Sequence, residues 1–462
     1  MKPFASILLT IILIITVSCS KEDSGNEFEG NIVLQSPEEV MEFGSNNYTK
    51  IQGSLTINDI ENANKIVTLK PLESLKEITG ELEINAPYLE SLSGLENISS
   101  VRSLTINNCH QLSNLNGLNN LSKSRIITIA NNEGLINLNG LQRLSYIEYF
   151  YLLNNPSLQN LIGLEGVTRI EKGGGFSILR NNSLKNLSGI DNLSTINGHL
   201  TIKGNDSLVD FTGLGGLTNI TLGIFIEDNR SLTSFTGLSN FNTIGGKLVI
   251  DNNEALSNLS GLGNLKNIYT GIIIKNNASL LNLSGLKNIN IEGSSIYITN
   301  NPVLSTLNNS LITSSTVSGI SIAYNPSLNS LSGLESISRV NRNLEINNSS
   351  ITNLTGLNNV TEIGLQLVIN DNENLTSLQA LQNLSTAKNF AIINNPALTS
   401  LSGLENLSSV ERAFKINNNV GLDNFCSLQE QLIINLPFDY YTVSANAYNP
   451  SIQDLLDGNC IL

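Results

Sequence analysis

Leu248 to Leu286 reads LVIDNNEALSNLSGLGNLKNIYTGIIIKNNASLLNLSGL. It holds one full unit, L-x-I-x-x-N-x-x-L-x-x-L-x-G-L-x-x-L-x-x-I, and the opening of the next. With the first leucine after each Asn-rich turn as a marker, the unit recurs from Ile66 and Leu89 to Leu398 and Leu422, about sixteen times at intervals of roughly 23 to 26 residues. A period of that length marks a solenoid, in which no unit buries its apolar face until a neighbour stacks on it.

Within the unit the apolar residues do not keep the 3.6-residue spacing of a helix. Leu248 and Ile250 alternate with Val249 and Asp251, which is the two-residue period of a strand with one face inside. Leu256, Leu259, Leu262 and Leu265 then recur every third residue with Asn, Ser and Gly between them. That spacing suits short extended segments joined by tight corners. Parallel stacking lets each coil cover the next and pairs backbone groups between coils.

Two columns support stacking in register. An Asn follows the strand in nearly every coil, at Asn132, Asn155, Asn182, Asn205, Asn229, Asn253 and on to Asn419. Stacked buried amides can satisfy one another and the turn backbone. A glycine stands at the corner from Gly94 and Gly117 to Gly356 and Gly403, where positive φ or close backbone approach is needed. Pro71, Asn309 and Ala380 interrupt that column, so those corners are expected to differ.

The L-x-I-x-x-N strand and turn resembles the leucine-rich repeat. The longer unit with its L-x-G-L corner is similar to the receptor L-domain family and to repeat-bearing surface lipoproteins of the Bacteroidetes. The likeness covers about residues 30 to 462. It implies a mainly β chain: a right-handed parallel β-solenoid of about sixteen coils with caps at both ends. It fixes no ligand, since one scaffold hosts many functions.

The ends depart from the repeat. Residues 1–18 carry Lys2 and an apolar run from Phe4 to Val17, too short for a comfortable membrane span. The run leads through Val17 and Ser18 to Cys19 and resembles a bacterial lipoprotein signal, which implies lipid attachment at Cys19; Thr16 stands where the usual pattern has Leu. An ordinary secretory signal is the rival. Residues 19–30 read as a polar tether, and Lys21-Glu22-Asp23 resembles the acidic export signal of outward-facing Bacteroidetes outer-membrane lipoproteins.

Residues 31–45 read as an N-terminal cap: a strand at Ile32 to Leu34, a capping box at Ser36-Pro37-Glu38-Glu39, and a helix that Gly44 is placed to stop. The repeat solenoid then occupies 46–425 and a C-terminal cap 426–462, with a short helix in SLQEQLII and a possible N-cap at Ser451. Cys426 and Cys460 bracket that cap, and in an exported protein they are expected to form a disulfide, with two free thiols as the alternative. Cys109 falls in the Asn column and reads as structural, because adjacent His110 is poorly placed to serve it as a base.

Hydrophobic residues make up 40% of the chain and charged ones 14%, with a formal charge of −14. An acidic surface disfavours nucleic acid, and the membrane is reached through the N-terminal lipid alone. With two histidines and no phosphate loop, nucleophile elbow or zinc spacing, no cofactor and no metal are expected. Gly173 to Gly175 reads as a bulge or loop in the longest coil, and acidic turns such as Asn370 to Glu373 lack EF-hand spacing.

Stacking places Lys203, Glu227, Asp251 and Lys275 in one outward column. Paired carboxylates there could serve a β-helix carbohydrate-active enzyme, a glycoside hydrolase or lyase; the same order describes an exposed charge ladder. Tyr151, Leu153, Phe225, Ile273 and Tyr297 stand on outward strand positions where other coils carry polar residues, and form a candidate ligand-binding face. The functional expectation is a lipid-anchored cell-surface binding or adhesion protein, non-enzymatic, that presents a rigid face to a protein or polysaccharide ligand. The Glu227/Asp251 enzyme and a structural envelope component are the alternatives.

Overall fold

The computed structural model describes residues 25–59, 65–171, 173–307, 311–428, 430–434 and 440–462. The signal segment 1–18, Cys19, the triplet Lys21 to Asp23 and the corner at Asn309 lie outside the described residues. The fold is mainly β: a parallel solenoid of about seventeen turns with little helix.

Strand Lys247–Asp251 is representative. Leu248 and Ile250 are fully buried, and the strand pairs in parallel with Ile224–Glu227 before it and Gly271–Lys275 after it. Leu248 lies opposite Ile224 and Ile272, one repeat away on either side. Inward residues therefore stack as continuous apolar columns, the only way so thin a coil can remove its leucines from water. The later leucines fill the rest of the core: Leu256, Leu259, Leu262 and Leu265 are all fully buried. The corners between them close with hydrogen bonds from Leu262 N to Leu259 O at 3.2 Å and from Leu265 N to Leu262 O at 2.9 Å. Short strands such as Thr243–Ile244 and Asn267–Ile268 form a second, five-stranded parallel sheet.

The Asn column is a hydrogen-bonded ladder. Asn253 N donates to Asn277 Oδ1 at 3.0 Å, and Asn253 Nδ2 reaches Ile226 O at 3.0 Å and Asp251 O at 3.1 Å. Each amide thus satisfies its own turn, the coil before and the coil after. One position of the column needs correcting: the buried amide in the longest coil is Asn181, not Asn182. Leu179 ends that strand facing outward, so the inward count runs from Ile178. Cys109 occupies the same column, fully buried; burial pushes its thiol up to about 12, which leaves it inert.

The corner glycines have φ between +105° and +117° at the ends of that range, Gly237 and Gly163. The interrupted corners do differ: Lys70–Leu72 around Pro71 and Gln379–Leu381 around Ala380 are single 3-10 turns.

The N-terminal region is more ordered than its composition implies. Glu27–Glu29, within the expected tether, is a strand paired with Lys50–Gln52, held because Phe28 packs edge-on against Phe43 and Tyr48 at 5.4 and 5.5 Å. Ile32–Leu34 pairs with the strand Leu55–Asn58, so the array begins before residue 46. Helix Pro37–Ser45 is capped by Ser36, whose side chain accepts from Glu39 N at 3.2 Å; the Glu39 carboxylate takes Gln35 N rather than Ser36 N. Gly44 does not stop this helix. It lies inside it, where a Cβ would fall 2.2 Å from Pro71 O, and the chain turns at Asn47 with φ +54°.

At the other end the array also runs past its expected limit, since Tyr441–Ser444 pairs with the strand Ser409–Asn417. Helices Glu430–Ile434 and Ile452–Leu456 close the end, the second with a full Ser451/Asp454 capping box. Cys426 and Cys460 are joined by a disulfide, and Phe425 N donates to Cys460 O at 2.8 Å. The chain end is thereby tied back onto the last coil.

Candidate functional site

The strand face carries three outward columns. The middle one runs Tyr151, Ser177, Thr201, Phe225, Val249, Ile273, Tyr297. Four of the five candidate face residues therefore share one column. Leu153 does not: it lies in the next column, in register with Leu179 and Lys203. The four are also not contiguous, because Ser177 and Thr201 separate Tyr151 from the run that starts at Phe225.

That interruption makes a cleft of about 450 Å³, lined by Tyr149, Tyr151, Gly173–Gly175, Ser177, His199, Thr201, Phe225 and Glu227. On one side the rings of Tyr149 and Tyr151 stack with centroids 6.2 Å apart and planes 12° from parallel. On the other, His199 and Phe225 are in ring contact at 5.6 Å. Tyr151 and Phe225 are three rungs apart, roughly 14 Å at the usual strand spacing. Between them the floor is hydroxyl and bare backbone. The Tyr149 hydroxyl donates to Gly173 O at 3.0 Å and fixes that ring to the glycine segment. Gly223 N donates to His199 Nδ1 at 3.1 Å, so the imidazole is the acceptor there and carries its proton on Nε2.

Sequence reading missed Tyr149, His199 and the glycine segment as site residues. The signal was present as Tyr149-x-Tyr151, Gly175-x-Ser177, His199-x-Thr201 and Gly223-x-Phe225, but it becomes a site only when those pairs are set side by side in register.

The carboxylates form a charge ladder. Glu227 Oε2 accepts from Lys203 Nζ at 2.8 Å, and Asp251 is paired with Lys275 at 3.1 Å. Glu227 and then Asp228 hold the Lys203 ammonium above its ordinary range. Glu227 lines the cleft, whereas Asp251 does not. In the turn Asn370 to Glu373 the Asp371 carboxylate already accepts from Asn370 and Asn394 at 2.7 and 2.8 Å. Among the described residues no cluster of His, Cys, Asp or Glu is arranged to hold a metal, and no helix is long and apolar enough to cross a membrane.

A second depression of about 410 Å³ lies on the turn edge, around Tyr324, Pro302, Pro326, Asp371 and Glu373. Tyr324 there has φ +56° in a column otherwise dominated by Asn.

Residues 70–162 match the family model of the leucine-rich-repeat domain of the endo-beta-N-acetylglucosaminidase EndoS. The solenoid is leucine-rich-repeat-like. A leucine-rich repeat protein from Bacteroides eggerthii DSM 20697 aligns over 86% of this chain and 71% of its own, at 15% identity and a TM-score of 0.40. One from Bacteroides ovatus ATCC 8483 aligns over 79% of each chain at 13% identity and a TM-score of 0.17. No curated protein matches.

Proposed function

We propose that this chain is a non-enzymatic binding protein, lipid-anchored through Cys19 at the outer surface of a bacterial outer membrane, whose strand face engages a protein or glycan. The observation that carries the binding role is the aromatic-walled cleft on the strand face, above strands that pair without a break. The walls stand on strands with fully buried inward residues, such as Phe150, Leu152, Ile224 and Ile226, so the site is ordered before a ligand arrives. The ladder weighs against hydrolysis, which needs two carboxylates free to act across one bond. Here each is engaged by a lysine, and one lies outside the cleft.

Immobilised full-length protein screened against protein and glycan arrays is expected to give saturable binding that a Tyr151→Ala/Phe225→Ala double variant weakens about tenfold or more. The same protein is expected to release no reducing sugar from polysaccharides. Sugar release abolished by Asp251→Asn would replace the binding role with an enzymatic one. Anchoring has a separate readout. Cys19→Ala is expected to move the protein from the membrane to the soluble fraction, because a single lipid-modified end is the attachment; unchanged fractionation would remove the lipid anchor from the proposal.

A further inference from the structure

Resting on the binding role above, we infer that the cleft between Tyr151 and Phe225 is a subsite for an uncharged oligosaccharide. The first ground is the chemistry of its surface. Sugars present apolar C–H faces and hydroxyl edges at once, so a site for them joins aromatic rings to open hydrogen-bonding groups. Here rings stand on both sides, and between them the hydroxyls of Tyr151, Ser177 and Thr201 make no hydrogen bond among the described residues. His199 adds a fourth open group, since its Nδ1 is occupied by Gly223 and its Nε2–H is not engaged within the protein. A peptide anchor pocket has the opposite composition, with an apolar floor that desolvates a large side chain.

The second ground is charge. The one carboxylate on the lining, Glu227, is paired with Lys203, whose ammonium is shared with Asp228 at 3.3 Å, so the three groups together carry one net negative charge. The lining therefore offers no cation to hold an anionic ligand, and the chain's formal charge of −14 repels polyanionic glycans.

The third ground is Gly175. Its neighbours in the outward column are Tyr149 and His199, both with rings. Many glycines of this fold are forced, because a Cβ would strike the backbone of an adjacent coil. Gly175 is not: an added Cβ would meet only His199 O, at an ordinary 3.5 Å, and its φ lies outside the left-handed region. The fold does not need a glycine there, but a side chain would grow into the cleft. Its absence is what keeps the space between the two walls open.

The test is an array of uncharged oligosaccharides with gluco-, manno-, galacto-, xylo- and N-acetylglucosamine backbones. Oligogalacturonate and sulfated glycans form a second arm and a random decapeptide library a third. The expected result is saturable binding of one or more neutral glycans, weakened about tenfold or more by Tyr151→Ala and by Gly175→Val, and within about twofold of the parent in Tyr324→Ala, an exposed tyrosine on the turn edge. Valine suits a strand and fills the space without removing any wall. A far-ultraviolet circular dichroism spectrum and a thermal midpoint close to the parent's, measured for each variant, separate loss of the site from loss of the fold. Neutral-glycan binding that ignores both cleft variants, or preference for the anionic arm, overturns the inference. Peptides bound in a Tyr151- and Gly175-dependent way overturn the sugar while leaving a binding protein. No cleft-dependent binding in any arm overturns both.

Discussion

Asn253→Ala is expected to destabilise the solenoid by about 3 kcal/mol, because one buried donor is left without an acceptor, at about 1–3 kcal/mol, and other buried hydrogen bonds worth about 1 kcal/mol each go with it. The ladder makes the losses countable. Asn229 N donates to Asn253 Oδ1 at 3.2 Å and would be left without an acceptor, whereas Asn229 Nδ2, also at 3.2 Å, keeps the carbonyls of Ile202 and Glu227. The carbonyls of Ile226 and Asp251 would lose the Asn253 amide as well, the second keeping Asp228 N at 3.0 Å. The damage falls at an interface between coils near the middle of the array. Since each coil touches only its neighbours, breaking one interface uncouples two blocks. Guanidinium unfolding followed by circular dichroism is therefore expected to broaden or split into two steps, with limited proteolysis cutting first near the altered turn. A loss below about 1 kcal/mol with a single sharp transition would mean that the ladder aligns the coils without holding them.

Nature has placed a milder version of this change in the same column. Ser349 stands where its neighbours Asn325 and Asn372 carry amides; its own N–H reaches Asn372 Oδ1 at 3.2 Å, but its hydroxyl turns to Asn347 O. Asn253→Ser is therefore expected to cost less than alanine.

The solenoid could be read from the sequence because its determinants are local and repeated. The leucine period, the amide column and the corner glycines each recur at fixed positions, and each has one physical reason to do so. Where reading failed, the reason was a contact that no period encodes. Phe28 looked like part of a tether until Phe43 and Tyr48 were beside it. Gly44 looked like a helix stop, yet it is small because Pro71 passes against it. A second amide ladder was overlooked beside the first: in doublets such as Asn131-Asn132 and Asn154-Asn155 the first Asn takes positive φ and links outward, Asn154 Nδ2 to Asn131 Oδ1 at 2.7 Å. The cleft was the least legible part. Tyr151 and Phe225 were recognisable as outward aromatics, but the space between them is made by residues that are small, and their smallness matters only at neighbouring rungs.

Gly237→Ala is the sharper test of how the coils are spaced, with an expected loss of about 3–5 kcal/mol from backbone strain and overlap together. Gly237 has φ +105°, where a side chain is strained whatever the surrounding space. Its Cβ would lie 2.1 Å from Phe211 O and 2.2 Å from Phe211 C, both backbone atoms of the preceding coil. Relief requires the two corners to part. That would stretch the hydrogen bond from Phe211 N to Thr236 O, now 2.8 Å, and separate the Phe211 and Phe235 rings from their 5.2 Å contact. Gly263→Ala is the matched control: no atom lies within 4 Å of its Cβ and its φ is ordinary, so the change is expected to be neutral or to stabilise by up to about 1 kcal/mol. The chain does contain another way to turn this corner, the 3-10 turn at Gln379–Leu381, where Ala380 occupies the glycine position. If Gly237→Ala costs under about 1 kcal/mol, the corner has switched to that geometry, and spacing between coils is set by the leucine columns rather than by the glycine.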